Sequence, residues 1–230
     1  MTETMKCKIV TFDEVYNMTK NLAESIKKSR YQPTTIVGLA RGGWVPSRLM
    51  CDFLGITDLI SLKVEHWLQT GQTKDEATIK YPLSANIATK KLLLIDDIAD
   101  TGKSLLTSIA YLKQFQPSEV RVATMQYIPQ SAFKPDYYAE EVKIWTWFIY
   151  PWNWIEDTST LIIRLMKSHT ETELTYLDLE KSLETFFEIK WEKKMLEYIL
   201  TIMWERKQIK IKKDQEKCRY LLNTERVIQL

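Results

Sequence analysis

The sequence predicts an α/β fold, a mostly parallel sheet flanked by helices, followed by a mainly helical C-terminal extension. Three observations predict it. Apolar strand-like runs alternate with segments of helical period between residues 8 and 127, the succession that builds right-handed βαβ crossovers. Leu92-Leu-Leu-Ile95 shows no polar alternation, as expected of a strand covered on both faces. The chain of 230 residues has only 6 glycines, all within the first 102 residues, and Gly42, Gly43 and Gly102 fall just after strand-like runs. In open α/β sheets the ligand sits beyond the carboxyl ends of the strands, so these glycines mark candidate ligand loops.

The elements follow in order. Residues 8–10 form a short strand. Thr11-Phe-Asp-Glu14 is a capping box, in which the Thr hydroxyl and the Glu carboxylate each satisfy an orphan N–H. The helix it opens has an apolar face of Phe12, Val15, Thr19, Leu22, Ala23 and Ile26. Residues 34–39 are a β-branched strand, 44–54 a helix ended by Gly55, and 59–64 another strand. Residues 65–82 lack a sustained period, contain Gly71, and are expected to be a long loop. A strand at 91–96, a helix at 104–115 and a strand at 119–127 complete the α/β part. Four of the eight tryptophans (Trp145, Trp147, Trp152 and Trp154) then fall within ten residues. Beyond about residue 158, segments 173–187 and 192–207 have helical apolar faces, and 206–213 holds five basic residues in eight.

Composition excludes several classes. Lys and Arg number 32 against 30 Asp and Glu, a net charge of +2, so no strong field points to nucleic acid or membrane. No apolar run is long enough to span a bilayer, and no apolar leader opens the chain, so a cytoplasmic protein is expected. Cys7, Cys51 and Cys218 are odd in number and far apart, which suits free thiols in a reducing compartment. His66 and His169 form no metal-ligand spacing.

The segment from Leu92 to Ser104, Leu-Leu-Leu-Ile-Asp-Asp-Ile-Ala-Asp-Thr-Gly-Lys-Ser, carries the chemistry. A buried strand delivers Asp96 and Asp97 to its carboxyl end. Asp100, Thr101, Gly102, Lys103 and Ser104 follow in a tight loop before a helix. Loop N–H groups, hydroxyls and a helix N-terminus make a phosphate cradle. Adjacent carboxylates suit ribose hydroxyls or a hydrated Mg²⁺. A P-loop is not expected, because it needs glycine where Asp97 stands.

This segment resembles the phosphoribosyl-diphosphate (PRPP) motif of type I phosphoribosyltransferases. The resemblance implies that Asp96 and Asp97 hold the ribose hydroxyls and associate with Mg²⁺, that Asp100 lies near the purine N7 as a catalytic group, and that Thr101, Gly102, Lys103 and Ser104 bind the 5′-phosphate. Gly38-Leu-Ala-Arg-Gly-Gly43 resembles the family's pyrophosphate loop, in which Arg41 and the Gly42 and Gly43 amides bind the diphosphate. Residues 65–82 correspond to the flexible loop that closes over PRPP. Trp145-Thr-Trp-Phe-Ile-Tyr-Pro-Trp152 resembles the base-binding hood of the xanthine–guanine enzymes, so Trp147 would stack on the base and the Phe148 backbone would bond its edge.

The resemblance implies a core at 1–157, with the hood at about 128–157, and leaves 158–230 as a helical extension of unknown role. It implies transfer of phosphoribosyl from PRPP to a purine, giving a nucleoside monophosphate and pyrophosphate, with Mg²⁺ and a homodimer. One departure bears on the base. The 6-oxopurine enzymes carry a lysine that donates to O6, and Ile128 stands at that position, with Lys134 six residues on. The expected substrate is therefore adenine, giving AMP; the alternative is a 6-oxopurine. An alternative of another class is a PRPP-sensing regulator whose tail binds nucleic acid. Residues 161–230 hold 14 basic and 12 acidic side chains, so a nucleic-acid partner is not expected.

Overall fold

The computed structural model describes residues 4–69, 72–168, 173–214 and 217–223. Gly71 and His169 lie outside the described residues. The chain forms two compact units, residues 11–145 and residues 1–10 with 146–230. The boundary expected at 157 does not coincide with this division: the hood strand falls with the tail.

The unit of residues 11–145 is built on a six-stranded sheet. Helix α1 (Phe12–Lys28) opens with the expected capping box, the Thr11 N–H donating to Glu14 Oε2 at 2.8 Å and the Glu14 N–H to Thr11 Oγ1 at 3.2 Å. There follow β2 (Thr35–Ala40), α2 (Trp44–Leu54), β3 (Leu59–Gln69), β4 (Gln72–Tyr81), β5 (Lys91–Ala99), α3 (Lys103–Lys113), β6 (Glu119–Tyr127) and β7 (Tyr137–Glu141). The strand order is β4-β3-β2-β5-β6-β7, and every pairing is parallel except β3 with β4. Alternate strand residues feed two cores. Val37, Leu39, Leu92 and Leu94 pack with Leu105 and Leu112 of α3. Ile36, Leu93 and Ile95, equally buried, point to the other face.

Residues 65–82 correct the sequence reading. Instead of a loop they form most of a hairpin, in which β3 runs on to Gln69 and pairs antiparallel with β4. The register shifts three times along it. Such irregular pairing breaks the strict alternation by which a strand is read from sequence.

In the second unit, β1 (Cys7–Ile9) pairs parallel with β8 (Trp147–Ile149). A short 3-10 turn at Pro151–Asn153 leads into α4 (Trp154–Ser168), β9 (Leu174–Thr175), α5 (Tyr176–Phe187), α6 (Lys193–Glu205), β10 (Ile209–Asp214) and β11 (Lys217–Leu222). The extension expected to be mainly helical thus also holds a three-stranded sheet, in the order β10-β11-β9. The basic run at 206–213 is mostly strand. Leu161, Leu165, Leu179, Leu183, Phe187, Leu196, Ile199 and Met203 form its core. No helix among the described residues is long and apolar enough to cross a membrane. Cys7 and Cys51 are buried, and burial pushes both thiols up, that of Cys7 to about 12.

One polar cluster ties three segments at the amino end of the sheet. Asp58 Oδ2 accepts from buried Thr35 Oγ1 at 2.7 Å and from Lys90 Nζ at 2.6 Å. The Lys90 bond, then the Thr35 bond, hold its carboxyl below the usual range. A depressed folded-state pKa contributes stability above the unfolded value, about 3.9, that is lost as pH falls through the folded value. Asp58→Asn is expected to lower Tm at pH 7, and the gap from wild type should close in acid. A gap unchanged from neutral pH to below about 3 would show that the charge is not its source.

Candidate active site

The chain leaves β2 by α2 to β3 on one side and later returns to β5 on the other side of β2. β2 and β5 therefore flank the topological switch point, where an open α/β sheet splits its loops and leaves a crevice. The two loops singled out in the sequence leave the carboxyl ends of these two strands, which are in register from Thr35↔Leu92 to Gly38↔Ile95.

The glycines show how closely the loops meet. A Cβ on Gly42 would lie 2.0 Å from Asp97 Oδ2. A Cβ on Gly43 would lie 2.2 Å from the Ile95 carbonyl oxygen and 2.8 Å from that of Leu39. Neither glycine has a positive φ, so space alone decides these positions. Gly102 adds conformation to space: its φ is +77°, and a Cβ would meet Ser131 Oγ at 2.6 Å and the Phe133 nitrogen at 2.7 Å. The Ala40–Arg41 peptide in the first loop is cis.

Both loops end in helix N-termini of one kind. Gly43 caps α2 and Gly102 caps α3, so neither cap residue has a side chain to offer, although the Lys103 N–H of α3 donates to Thr101 Oγ1 at 3.4 Å. By contrast, α1 and α5 each carry a full capping box. A helix start without a side-chain acceptor keeps amide donors and the positive dipole end for an anion. Arg41 and Lys103 are exposed beside these starts, and Thr101 and Ser104 are partly buried.

Asp96 and Asp97 are partly buried at the end of β5. Asp96 Oδ1 accepts the Asp97 N–H at 3.0 Å, and Asp97 Oδ1 accepts the Ile98 N–H at 2.8 Å. Burial, and then the neighbouring Asp97 charge, push the Asp96 carboxyl well above the usual range. Asp100 is raised by burial too, but the Trp145 side chain hydrogen-bonds to its carboxylate and draws it back. The sequence reading placed Trp145 in the aromatic block, at the start of the segment resembling the hood, and gave it no role of its own. It is 45% exposed, and its one ring nitrogen can only donate. A contact across 45 residues leaves no local pattern, although an exposed Trp just before a strand is itself unusual.

Ile128 is not open to a ligand. It is 2% exposed, its N–H donates to the Ala99 carbonyl, and it continues the packing of β5 against β6. Lys134 holds its ammonium against the Tyr127 and Tyr138 rings, 5.9 and 5.5 Å from their centroids. Trp147 and Phe148 belong to the other unit. Trp147 is partly buried against that unit's core, and its indole N–H donates to Asp157 Oδ2 at 3.2 Å. Phe148 is buried, with its ring 6.3 Å from that of Tyr150.

A family model described as "Phosphoribosyl transferase domain" matches residues 12–156. The chain belongs to this family. Among solved structures, it is similar to a purine phosphoribosyltransferase from Pyrococcus horikoshii, at 29% identity and a TM-score of 0.57, over 65% of this chain and 95% of that one. Among curated relatives, it is similar to the xanthine-guanine phosphoribosyltransferase of Gluconobacter oxydans, 24% identical over 70% of this chain and 90% of that protein. It is also similar to the enzyme of that name from Cereibacter sphaeroides, 30% identical over 51% of this chain and 68% of that protein.

These findings do not support the adenine preference expected from Ile128. The side chain is packed away, and the curated relatives carry the names of two 6-oxopurines. The phosphoribosyltransferase core accounts for both loops at the switch point, whereas the family model stops at residue 156.

A double-mutant cycle tests the packing of the loops. Gly42→Ala should destabilise by about 1–3 kcal/mol through overpacking, and Asp97→Ala in that background should return part of the loss. Gly43→Ala meets backbone that cannot rotate away, so Asp97→Ala should not rescue it. Additive losses at 42 and 97 in thermal melts would refute the contact.

Proposed function

We propose that this phosphoribosyltransferase moves the phosphoribosyl group of PRPP to a 6-oxopurine, forming the nucleoside 5′-monophosphate and pyrophosphate. The observation that carries the transfer is the meeting of the Arg41–Gly43 loop with Asp96, Asp97 and the loop to Ser104 at the β2/β5 switch point. The base class rests on the relatives named for xanthine and guanine.

Each group has a task that its chemistry suits. The α3 start, with Thr101, Gly102, Lys103 and Ser104, takes the 5′-phosphate. Arg41, a fixed fork of donors, takes the diphosphate with the Gly42 and Gly43 amides. Asp96 and Asp97 face the ribose hydroxyls. The same pair fits Mg²⁺, which accepts one or two protein carboxylates and fills its shell with water and phosphate oxygens. Two acids sharing a partly buried corner, one with a raised pKa, form an oxygen donor set that a divalent cation would suit. When bound, the ion neutralises charge on the diphosphate.

As the C1′–O bond to pyrophosphate breaks, positive charge grows on the ribosyl centre. Asp100 stabilises that charge and shares the proton at the purine N7. Its raised pKa brings it nearer to neutral pH, where proton sharing is most effective. The Trp145 indole donates to the same carboxylate and fixes its orientation. The resemblance assigns the base to Trp147 and Phe148.

Steady-state turnover with guanine, xanthine, hypoxanthine and adenine tests the base class. The largest kcat/KM is expected with a 6-oxopurine, and the largest with adenine would overturn it. Asp100→Asn should lower kcat by about 10²–10⁴ while PRPP still binds. Trp145→Phe keeps the ring and removes the donor. It should lower kcat by about tenfold, the scale of a hydrogen bond to a charged group, and leave KM for PRPP nearly unchanged. An unaltered kcat would remove Trp145 from the site.

A further inference from the structure

Within the unit of residues 1–10 and 146–230, the tail has a distinct order of elements: helix α4, strand β9, helices α5 and α6, then the hairpin β10–β11. The first of these strands pairs with the last, through Arg219↔Thr175 and Tyr220↔Leu174. Helix–strand–helix–helix–strand–strand with that pairing is the topology of a winged helix-turn-helix module. α5 and α6 are the helix-turn-helix pair, and the hairpin is the wing.

The turn is firmly built. Glu188 takes a left-handed φ of 58° and closes α5, with its N–H on the Glu184 carbonyl and the Ile189 N–H on that of Leu183. Ile189 and Trp191 are buried within the turn, and the Trp191 indole donates to Thr158 of α4. The second helix is thereby fixed, with Leu196, Ile199, Leu200 and Met203 in the core. Its outer side carries Lys193, Lys194, Tyr198, Thr201 and Trp204.

Charge is divided within this unit although the tail as a whole is nearly neutral. Residues 173–189 hold five acidic side chains and one basic. Residues 190–219, which span α6 and the hairpin, hold ten basic and five acidic. The Lys193–Glu197 pair, at 3.9 Å and exposed, is of the kind that contributes little. On the sheet, Lys212 and Arg219 both bond Glu173. The helix that this topology presents is itself balanced, Lys193 and Lys194 against Glu197 and Glu205, and the positive excess lies beside it in residues 206–219, which hold seven basic and two acidic side chains.

We propose that residues 154–223 are a nucleic-acid-binding module whose α6, flanked by the β10–β11 hairpin, docks on duplex DNA. Helix-turn-helix modules lay their second helix in the major groove, with its first turns nearest the bases and basic side chains on phosphates. Lys193 and Lys194 stand in that first turn, and Tyr198 and Thr201 follow on the outer side. Glu192, Glu197 and Glu205 lie among them, so binding is weak on mixed sequence, and the basic side chains of the hairpin and of the first turn make it salt-dependent. This inference is independent of the proposed transfer reaction.

Anisotropy of a labelled mixed-sequence DNA duplex of about 30 base pairs, titrated with the full chain, tests it. Binding in the micromolar range is expected at about 50 mM salt, with at least tenfold loss by about 200 mM. Lys193→Glu with Lys194→Glu should weaken binding at least tenfold and flatten the log–log salt slope by about 2. Lys27→Glu with Lys28→Glu, the same charge change on α1, should not. Lys194→Ala keeps the test open if the double variant fails to fold by circular dichroism. The proposal is overturned by no binding at low salt, by equal loss in the α1 variant, or by tighter binding of a single-stranded RNA of the same sequence. It is also overturned if Tyr198→Ala with Trp204→Ala turns a dimer into a monomer in sedimentation, because a second copy would then cover this face.

Discussion

The site depends on one steric constraint: β2 and β5 run side by side, and the loops leaving them have no room for a Cβ between them. At Gly43 the obstacle is backbone, the Ile95 and Leu39 carbonyls, and at Gly42 it is the Asp97 carboxylate. At Gly43 the backbone sets this distance and no side-chain adjustment relaxes it, whereas at Gly42 the Asp97 side chain sets it. Because the loops touch, the Arg41–Gly43 loop and the Asp96 and Asp97 carboxylates are held as one surface. The glycines that face ligand in the sequence reading are, in the fold, first the residues that let two loops approach each other.

Electrostatics follows from the same packing. Pressing Asp97 against Gly42 keeps it beside Asp96, and two acids in a partly buried corner resist joint ionisation. Asp100 is separate in kind. Its carboxyl is raised by burial, and the opposing influence is a neutral donor, the Trp145 indole. Pairs of acids with different environments are how one site divides binding from proton handling.

Much of this was legible in the sequence where local rules govern. The helix at 44–54 and the strand at 119–127 appear with the expected bounds, and the Thr11–Glu14 capping box forms as drawn. A buried parallel strand announces itself as an unbroken aliphatic run, and its carboxyl end locates the ligand loop. What failed depended on distance along the chain. The β3–β4 hairpin is hidden by register shifts that scramble its period. The Trp145–Asp100 bond and the burial of Ile128 are tertiary facts with no sequence spacing to reveal them. The short β9 and the lysine-rich β10 do not read as strands, because their pairing, not their composition, makes them so.

The pairing of β1 with β8 has a consequence for the order of folding. Cys7 lies opposite Trp147, so this small parallel sheet closes a loop that contains the whole of residues 11–145. Chain closure over such a span is entropically costly when the span is random coil, and cheap once it has collapsed into a domain whose ends emerge near each other. Strand β1 is made before residues 11–145 and its partner β8 after them. Synthesis therefore leaves an unpaired edge waiting while the sheet at 11–145 assembles, and the tail's core is completed only when both termini of the inserted domain have been delivered to it.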